Sequence, residues 1–191
     1  MSTTAKLTQT RAFTISKNGV LAQTFWIAVF AAATALSARM EIPHEPVPYT
    51  LQTLVVLLSG AFLGARNGAF SQLLYLAAGV LGAPVFAGGA FGVIRLLGPT
   101  GGYLLAFPAA AAVTGLLIQK HASLFWTFLS MAAGALVIFT AGTLQLAAYF
   151  QDLQAAFASG FLIFSWWDLL KLSAGAMIYH EIGKRWRKLP A

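Results

Sequence analysis

The chain has 191 residues, a mean hydropathy of +0.76, and 59% hydrophobic against 9% charged residues. Soluble domains carry about 25% charged residues, so this composition excludes an ordinary soluble domain and predicts a polytopic membrane protein. The lack of cysteine excludes disulfides, thiolate metal sites and a cysteine nucleophile. The formal charge of +7 alone would suit a nucleic-acid partner, but the positions of the basic residues argue against one.

Six apolar segments follow a polar N-terminal stretch, and they predict six transmembrane helices in a single membrane domain. We expect a cytoplasmic arm over residues 1–19, a helical core over residues 20–183 and a basic tail over residues 184–191. The first apolar stretch fits a retained helix better than a cleaved signal peptide. The second and third segments are short for a span, which indicates tilt or burial. The segments cover approximately residues 20–38, 47–63, 68–81, 101–119, 123–149 and 166–183.

The basic residues predict the orientation of these helices. With the N-terminus inside, nine of the twelve Lys and Arg residues fall on the cytoplasmic side, whereas Arg39 and Arg95 fall outside and Lys171 lies in the last helix. This positive-inside distribution requires an even number of spans, so both termini are expected in the cytoplasm. The basic surplus is therefore an orientation signal with a secondary role in contacting anionic lipid, and nucleic acid is not an expected partner.

Two external loops have compositions that cannot form regular helix throughout. Residues 39–49 contain three prolines, and residues 82–102 contain two prolines and seven glycines. Irregular backbone at membrane depth is tolerated only where it is buried in protein or lines a cavity. Such loops suit a capped pocket that opens to the outside.

Asp168 and Lys171 stand three residues apart in the last apolar segment, so helical spacing places both on one face. A charged side chain at membrane depth costs roughly 2.5–3.5 kcal/mol on insertion scales. One interpretation is structural: an aspartate at a helix N-terminus that forms an i,i+3 ion pair with the lysine. The other is a pocket wall, in which the carboxylate accepts from ligand N–H groups and the ammonium donates to a C=O, as a cyclic urea or amide would require.

Further candidates for a pocket adjoin the two loops. Tyr49 and Gln52 stand at the entry to the second helix, where either could be an interfacial anchor, buried polar filler or a pocket residue. The glycine-rich residues 87–92 are a weak match to a phosphate cradle and could be a flexible turn, but they favour close approach of backbone to a ligand. Residues 98–103 open the fourth helix, whose free N–H groups attract oxygens, although helix initiation explains them almost as well.

Small residues recur at four-residue spacing on the first helix, at Thr24, Ala28 and Ala32. Such a stripe lets another helix approach closely. It predicts either packing inside the bundle or a docking face for a partner protein.

The pattern does not support enzyme chemistry. The three histidines are scattered near the expected membrane surfaces, so no metal site is expected. No Ser–His–Asp arrangement, catalytic carboxylate pair or Walker motif can be assembled, and no catalytic residue is assigned. The histidines are His44, His121 and His180.

Four ordered motifs together resemble those of the BioY family, the biotin-specific substrate-binding (S) components of energy-coupling factor (ECF) transporters. They are Pro-Val-Pro-Tyr-Thr-Leu-Gln-Thr-Leu at 46–54, Leu-Gly-Ala-Pro-Val-Phe-Ala-Gly-Gly at 81–89, Leu-Gly-Pro-Thr-Gly-Gly-Tyr-Leu at 97–104 and Asp-Leu-Leu-Lys at 168–171. The resemblance runs in order over about residues 20–183, which is nearly the whole chain.

The resemblance implies an all-α, six-helix S-component-like bundle in a bacterial or archaeal cytoplasmic membrane, with biotin as the transported ligand and no cofactor. It implies a transmembrane scaffold subunit and an ATPase pair as partners, or a self-oligomer if the chain acts alone. Thr24, Ala28 and Ala32 would form the docking face, and Arg95 would supply a cation for the ligand carboxylate. An S component for another vitamin and, in a different class, an intramembrane enzyme or channel are the alternatives. The implied substrate-binding residues are Asp168, Lys171, Tyr49, Gln52, Phe86, Gly88, Gly89, Arg95 and Tyr103.

Overall fold

The computed structural model describes residues 17–120, 123–162 and 166–186, and the side chains of 19–120, 123–162 and 166–183. Predictions for the N-terminal arm up to residue 16, for His121 and for the side chains of the basic tail lie outside that part of the chain. Within it, the protein is an all-α bundle with a two-stranded antiparallel hairpin at one end.

The described part contains eight α-helices. A 3-10 turn (Ala87–Gly89) precedes the third helix, and a π-helical turn (Phe157–Phe161) follows the seventh. The helices and strands are α1 (Lys17–Ala38), β1 (Glu41–Ile42), β2 (Tyr49–Thr50), α2 (Gln52–Val80), α3 (Val93–Leu97), α4 (Gly101–Leu105), α5 (Phe107–Ile118), α6 (Leu124–Phe150), α7 (Leu153–Ala156) and α8 (Trp166–Trp186).

Helix α2 is a helical hairpin. Gly64 has φ 78° and ψ 175°, a region of backbone space that is essentially restricted to glycine. Gln52 Nε2 donates to Tyr75 Oη at 2.6 Å. In a straight helix these residues, 23 positions apart, would be separated by about 34 Å, so the two halves must run antiparallel. The hairpin accounts for the second and third apolar segments of the sequence.

The first external loop folds into the β1–β2 hairpin, in which Glu41 pairs with Thr50 and Ile42 with Tyr49. The second apolar segment therefore becomes helical at Gln52, five residues later than expected, because the residues before it are extended. The second external loop is irregular only in part, since it contains the 3-10 turn, α3 and the start of α4.

Helix α7 and the π-helical turn lie in a stretch for which no element was predicted. Asp152 initiates α7 because its Oδ1 accepts from the backbone N–H groups of Gln154 and Ala155, at 2.9 and 3.0 Å. This is an ordinary N-cap, and it follows Gln151, which ends α6 in the left-handed conformation.

Three helices of the described chain are long and apolar enough to cross a membrane by themselves: Gly19–Ala38, Gln52–Val80 and Leu124–Phe150. A fourth span arises if Leu153–Phe161 and Trp166–Gly183, bent by 47°, count as one. Gln52–Val80 folds back at Gly64, so the count of long helices does not give the number of membrane crossings. Six spans and two cytoplasmic termini remain predictions.

The core lies between the α2 hairpin, α5, α6 and α8, and large apolar side chains also cover the outside. Leu21, Leu36 and Phe125 are each about 70% exposed, as expected of a surface in contact with lipid. Inside, α1 is joined to α2 by Gln72, whose fully buried amide contacts Thr34. The helices thus pack around one interior, and both loops contribute residues to the cavity described below.

Candidate ligand-binding site

Asp168 and Lys171 form a buried ion pair in the first two turns of α8. Lys171 Nζ lies 2.6 Å from Asp168 Oδ1, and the two side chains are 9% and 5% exposed, respectively. The same ammonium donates to the carbonyl of Thr50 at 3.1 Å and to Thr53 Oγ1 at 2.9 Å. All three N–H donors of the lysine therefore have acceptors, which offsets the cost of burying the charge.

These contacts join α8 to the segment where the first loop enters α2. Thr50 is the last residue of β2, and Thr53 lies in the first turn of α2. The extended backbone of β2 leaves the Thr50 carbonyl free to accept from Lys171 rather than from a helical N–H. The ion pair thus lies where the Pro-rich loop, α2 and α8 meet.

A cavity adjoins this ion pair, and its space, counted out past the open mouth into solvent, is about 620 Å³. Residues from both loops and from α2, α4, α5, α6 and α8 form its walls. They are Val47, Pro48, Tyr49, Thr50, Gln52, Thr53, Ala87, Arg95, Thr100, Tyr103, Leu104, Phe107, Ile138, Phe139, Asp168 and Lys171.

Six of the nine predicted substrate-binding residues line this cavity: Asp168, Lys171, Tyr49, Gln52, Arg95 and Tyr103. Their convergence is a tertiary result, because they belong to β2, α2, α3, α4 and α8. Their roles toward a ligand remain a prediction.

The other three predicted residues lie behind or outside the wall. Phe86 is fully buried, with its ring edge-on to Tyr75 at 5.6 Å between centroids and against Gly79. An added Cβ at Gly88 would point toward the Glu41 side chain, and one at Gly89 would point toward the Arg39 side chain. Neither glycine lines the cavity. Ala87, between Phe86 and Gly88, is the residue of this turn that lines the cavity.

Gln52 and Tyr103 line the cavity, but contacts that the sequence does not reveal restrict what their polar groups can offer to a ligand. The Gln52 amide is already bonded, since its nitrogen donates to Tyr75 Oη and its oxygen accepts from Thr50 Oγ1 at 3.2 Å. The Tyr103 ring packs on Gly142, and its hydroxyl is directed toward Gly160 in the π-helical turn. Tyr103 therefore presents mainly an apolar ring to the cavity.

Arg95 is the third charged residue that lines the cavity, beside Asp168 and Lys171. Its side chain is partly buried, and it makes no hydrogen bond or ion pair with the residues that the structure describes. Asp168 and Lys171 neutralise each other, so Arg95 leaves the cavity with an uncompensated positive charge. An arginine in such a place suits a ligand carboxylate, which it can bind in bidentate geometry.

Several wall residues were not predicted. Phe107, Ile138 and Phe139 are apolar residues within apolar helices, and nothing in their sequence context distinguishes them from core or lipid-facing positions. Thr53 could have been found, because it follows Gln52 inside the motif at 46–54 and has the polar group that such a site needs.

No group of three or more His, Cys, Asp or Glu side chains comes together in the described ranges. His44 packs against Tyr49, with 5.0 Å between ring centroids, at the edge of the first loop. It therefore acts as a packing residue beside the cavity.

The apolar helices, the loops that close one end and the mostly apolar cavity with a few convergent polar groups define a class: a membrane-embedded protein that binds a small molecule. Comparison with known proteins gives the family. The model of the BioY family matches residues 5–188, and the chain belongs to the BioY family.

Relatives with established names cover most of the chain. It is 40% identical over 156 residues to the biotin transporter BioY of Thermotoga maritima, which covers 82% of this chain and 92% of the relative. It is also 40% identical to a probable biotin transporter BioY of Pyrococcus horikoshii, over 82% of this chain and 93% of that one. The biotin transporter BioY2 of Lactococcus lactis is 41% identical over 76% of this chain and 81% of its own. These relatives are named as transporters rather than enzymes.

The structure is similar to a crystal structure of the S component for biotin from an ECF-type ABC transporter. The TM-score is 0.83 at 24% sequence identity, and the match covers 89% of this chain and 95% of the other. At that identity the likeness establishes the fold, and it confirms the predicted S-component-like bundle.

Proposed function

We propose that this chain binds biotin in the cavity above Asp168 and Lys171 and delivers it for uptake as the S component of an ECF-type transporter. The observation that carries the proposal is the distribution of charged residues in the cavity wall. Asp168 and Lys171 form an ion pair, whereas Arg95 has no ion-pair partner among the described residues. Membership of a family whose named relatives are biotin transporters supports the identity of the ligand.

Biotin matches this set of groups. It has a ureido group with two N–H donors and one C=O, an apolar fused ring system and a carboxylate on a flexible chain. Asp168 accepts from a ureido N–H, and Lys171 donates to the ureido oxygen, in place of part of their mutual contact. Phe107, Ile138 and Phe139 provide apolar wall for the rings.

Arg95 binds the carboxylate in this proposal. It belongs to α3 in the second external loop, whereas the ion pair belongs to α8. The ligand thus connects the loop to the helices, because α3 binds its carboxylate and α8 binds its ureido group. An analogue that lacks the ureido group leaves buried polar groups unmatched, at about 1–3 kcal/mol each.

The test is calorimetry of biotin binding to the purified protein. Asp168→Asn and Lys171→Ala are each expected to weaken binding at least tenfold, about 1.4 kcal/mol, because each removes a ligand contact and leaves its partner buried without a counter-charge. Wild-type affinity in both variants would contradict the assignment of the site.

Matched controls are available outside the cavity. Asp152→Asn changes an exposed aspartate that caps α7, and asparagine caps a helix about as well. Lys120→Ala removes an exposed lysine after α5. Both variants are expected to bind biotin as the wild type does.

For the membrane and the partners we propose a bacterial or archaeal cytoplasmic membrane, with the cavity opening to the outside and the basic residues in the cytoplasm. A transmembrane scaffold subunit would dock on the outer face of α1, and ATP hydrolysis would take place in a separate ATPase pair. Thr24, Ala28 and Ala32 are all exposed on α1, which leaves this face available to a partner.

Two other assignments make different predictions. An S component for another vitamin would carry that vitamin through purification, which mass spectrometry of the extracted ligand identifies. An intramembrane enzyme would convert the ligand, and a channel would pass solute in proteoliposomes without ATPase partners. Bound, unmodified biotin and no passive flux are the results expected here.

A further inference from the structure

Gln145 of α6 bonds to the end of the short helix that carries Arg95. Its Nε2 donates to the carbonyl of Leu96 at 2.9 Å and to that of Gly98 at 2.7 Å. The two carbonyls belong to the C-terminal end of α3, where helix carbonyls have no partner within the helix. Only the amide nitrogen of Gln145 can donate, so both of its hydrogens are donated to the α3–α4 corner, the segment from Leu96 to Gly102 where α3 ends and α4 begins.

Two glycines let this corner approach α6 closely. A side-chain carbon at Gly101 would collide with the Leu96 carbonyl and lie 2.6 Å from Gln145 Nε2. One at Gly102 would lie 2.5 Å from the Ala141 carbonyl oxygen. The steric requirement is independent of the hydrogen bonds and indicates the same tight contact between the α3–α4 corner and α6.

The side chains of α3 itself add little to its position, and at the other end the N–H of Gly92, just before the helix, donates to the Gly79 carbonyl at 2.8 Å. The helix has five residues, far fewer than the 12–15 needed for even marginal helix stability in isolation. Of its apolar side chains, Leu96 is 9% exposed, whereas Ile94 and Leu97 are 74% and 69% exposed. At its C-terminal end, α3 is therefore held by the packing of Leu96, by the close contact of Gly101 and Gly102 and by Gln145, and Gln145 supplies the side-chain hydrogen bonds.

Arg95 precedes Leu96 and lines the cavity from α3. We infer that Gln145 is a positioning residue, which holds α3 so that the Arg95 guanidinium faces the ligand cavity and thereby sets the affinity for a ligand carboxylate. Gln145 itself is outside the cavity wall and acts through the Leu96 and Gly98 carbonyls. The inference rests on the proposed biotin-binding function.

The experiment compares two ligands, biotin and biotinol, in which an alcohol replaces the carboxylate. In the wild type, Arg95 should make biotin the tighter ligand, and Arg95→Ala should abolish that preference. Gln145→Met keeps the length of the side chain and removes both donors. It is expected to weaken biotin about fivefold or more while biotinol changes by less than about twofold.

A double-mutant cycle tests the path of the effect. Once Arg95 is alanine, adding Gln145→Met should not lower biotin affinity further, because the two residues act through the same contact. Gln154→Met, at an exposed glutamine of α7, is the matched control and should bind both ligands normally. Gln145→Asn retains the amide but is one carbon shorter, so it should give a smaller loss in the same direction and serves if Gln145→Met does not fold.

The outcomes separate the inference from the function on which it rests. If the wild type binds neither ligand, the proposed function is wrong. If Arg95→Ala weakens both ligands equally, the carboxylate role of Arg95 is wrong, and with it the role of Gln145. If Arg95→Ala removes the preference but the Gln145 variants weaken both ligands equally, the binding function stands and Gln145 has only a structural role.

Discussion

Lys171 has three acceptors, and all of them belong to the protein. A ligand carbonyl must therefore compete with Asp168, Thr50 or Thr53 for a hydrogen of the ammonium. Arg95 is in the opposite situation, since among the described residues it has no partner to give up. In the proposed complex the two cations would differ in the cost of binding: Lys171 would give up a protein acceptor to bind the ligand, whereas Arg95 would give up none of the described residues.

Tyr75 supports the cavity wall from behind, through its hydrogen bond with the wall residue Gln52. Its ring is buried, and its hydroxyl accepts from Gln52 Nε2 and donates to the Val85 carbonyl at 3.3 Å. Tyr75→Phe keeps the ring but leaves both partners unsatisfied. We expect the free energy of unfolding in detergent to fall by about 1–3 kcal/mol.

The control for this prediction is Tyr179→Phe in α8. Tyr179 packs edge-on against Phe62 at 5.2 Å between centroids and is only partly buried. Removing its hydroxyl should change stability by less than about 0.5 kcal/mol. Equal stabilities of Tyr75→Phe and the wild type would mean that the bond to Gln52 does not hold the wall.

At the scale of elements, the turn at Gly64 decides the architecture. It turns one apolar stretch into two antiparallel halves, and this brings Gln52 at the start of α2 to Tyr75 near its end. Gly60 and Gly115 then let α5 lie directly against the hairpin, where a side-chain carbon on either would collide with backbone. The hairpin and α5 therefore form the frame on which the cavity is built.

Gly64→Ala tests this turn. Among the described residues an added Cβ would meet only the Gln119 side chain, at 3.4 Å, so the cost comes from the backbone conformation and not from crowding. We expect a loss of about 1–3 kcal/mol in the free energy of unfolding. Thermal unfolding of the detergent-solubilised protein would show it as a lower melting temperature.

Gly19→Ala is the corresponding control. Gly19 lies in α1, and no atom of the described residues is within 4 Å of the position of an added Cβ. This substitution should be neutral or slightly stabilising, since alanine is the better helix former. If Gly64→Ala were as well tolerated as Gly19→Ala, the turn would not require a glycine.

At the scale of the whole molecule, the ligand cavity and the proposed docking face are separate. The cavity lies between the two loops, α2, α4, α5, α6 and α8, whereas Ala28 and Ala32 are exposed on α1. Loss of docking should therefore leave biotin binding intact. This separation makes the proposed partner testable without affecting the binding site.

Ala28→Trp places a large side chain on the face where close helix approach is proposed. We expect co-purification with the scaffold subunit to fall about tenfold while biotin affinity stays within about twofold of the wild type. Ala174→Trp, at an exposed alanine of α8, is the control and should assemble normally. Normal assembly of Ala28→Trp would mean that the partner docks elsewhere.

Much of the cavity lining could be predicted because its signals are local, whereas the part that these residues play in binding a ligand is still a prediction. Asp168 and Lys171 stand out as charges in an apolar segment, and their i,i+3 spacing alone makes an ion pair possible. Phe86 shows the limit: it lies in a motif at the cavity, yet it points into the core behind the wall. Gln145 carried a weak signal, a glutamine in an otherwise apolar helix, but its partners are 49 and 47 residues away.

By itself, the sequence determined the membrane class, the apolar segments, the irregular loops and the charged pair, because each depends on composition or on spacing within one helix. Only the tertiary structure decided which residues share the cavity. Cavity membership depends on how each helix is rotated and how the Gly64 hairpin places its halves, and these follow from contacts between distant parts of the chain. For the same reason, the unpaired state of Arg95 and its support by Gln145 appear only in the folded protein.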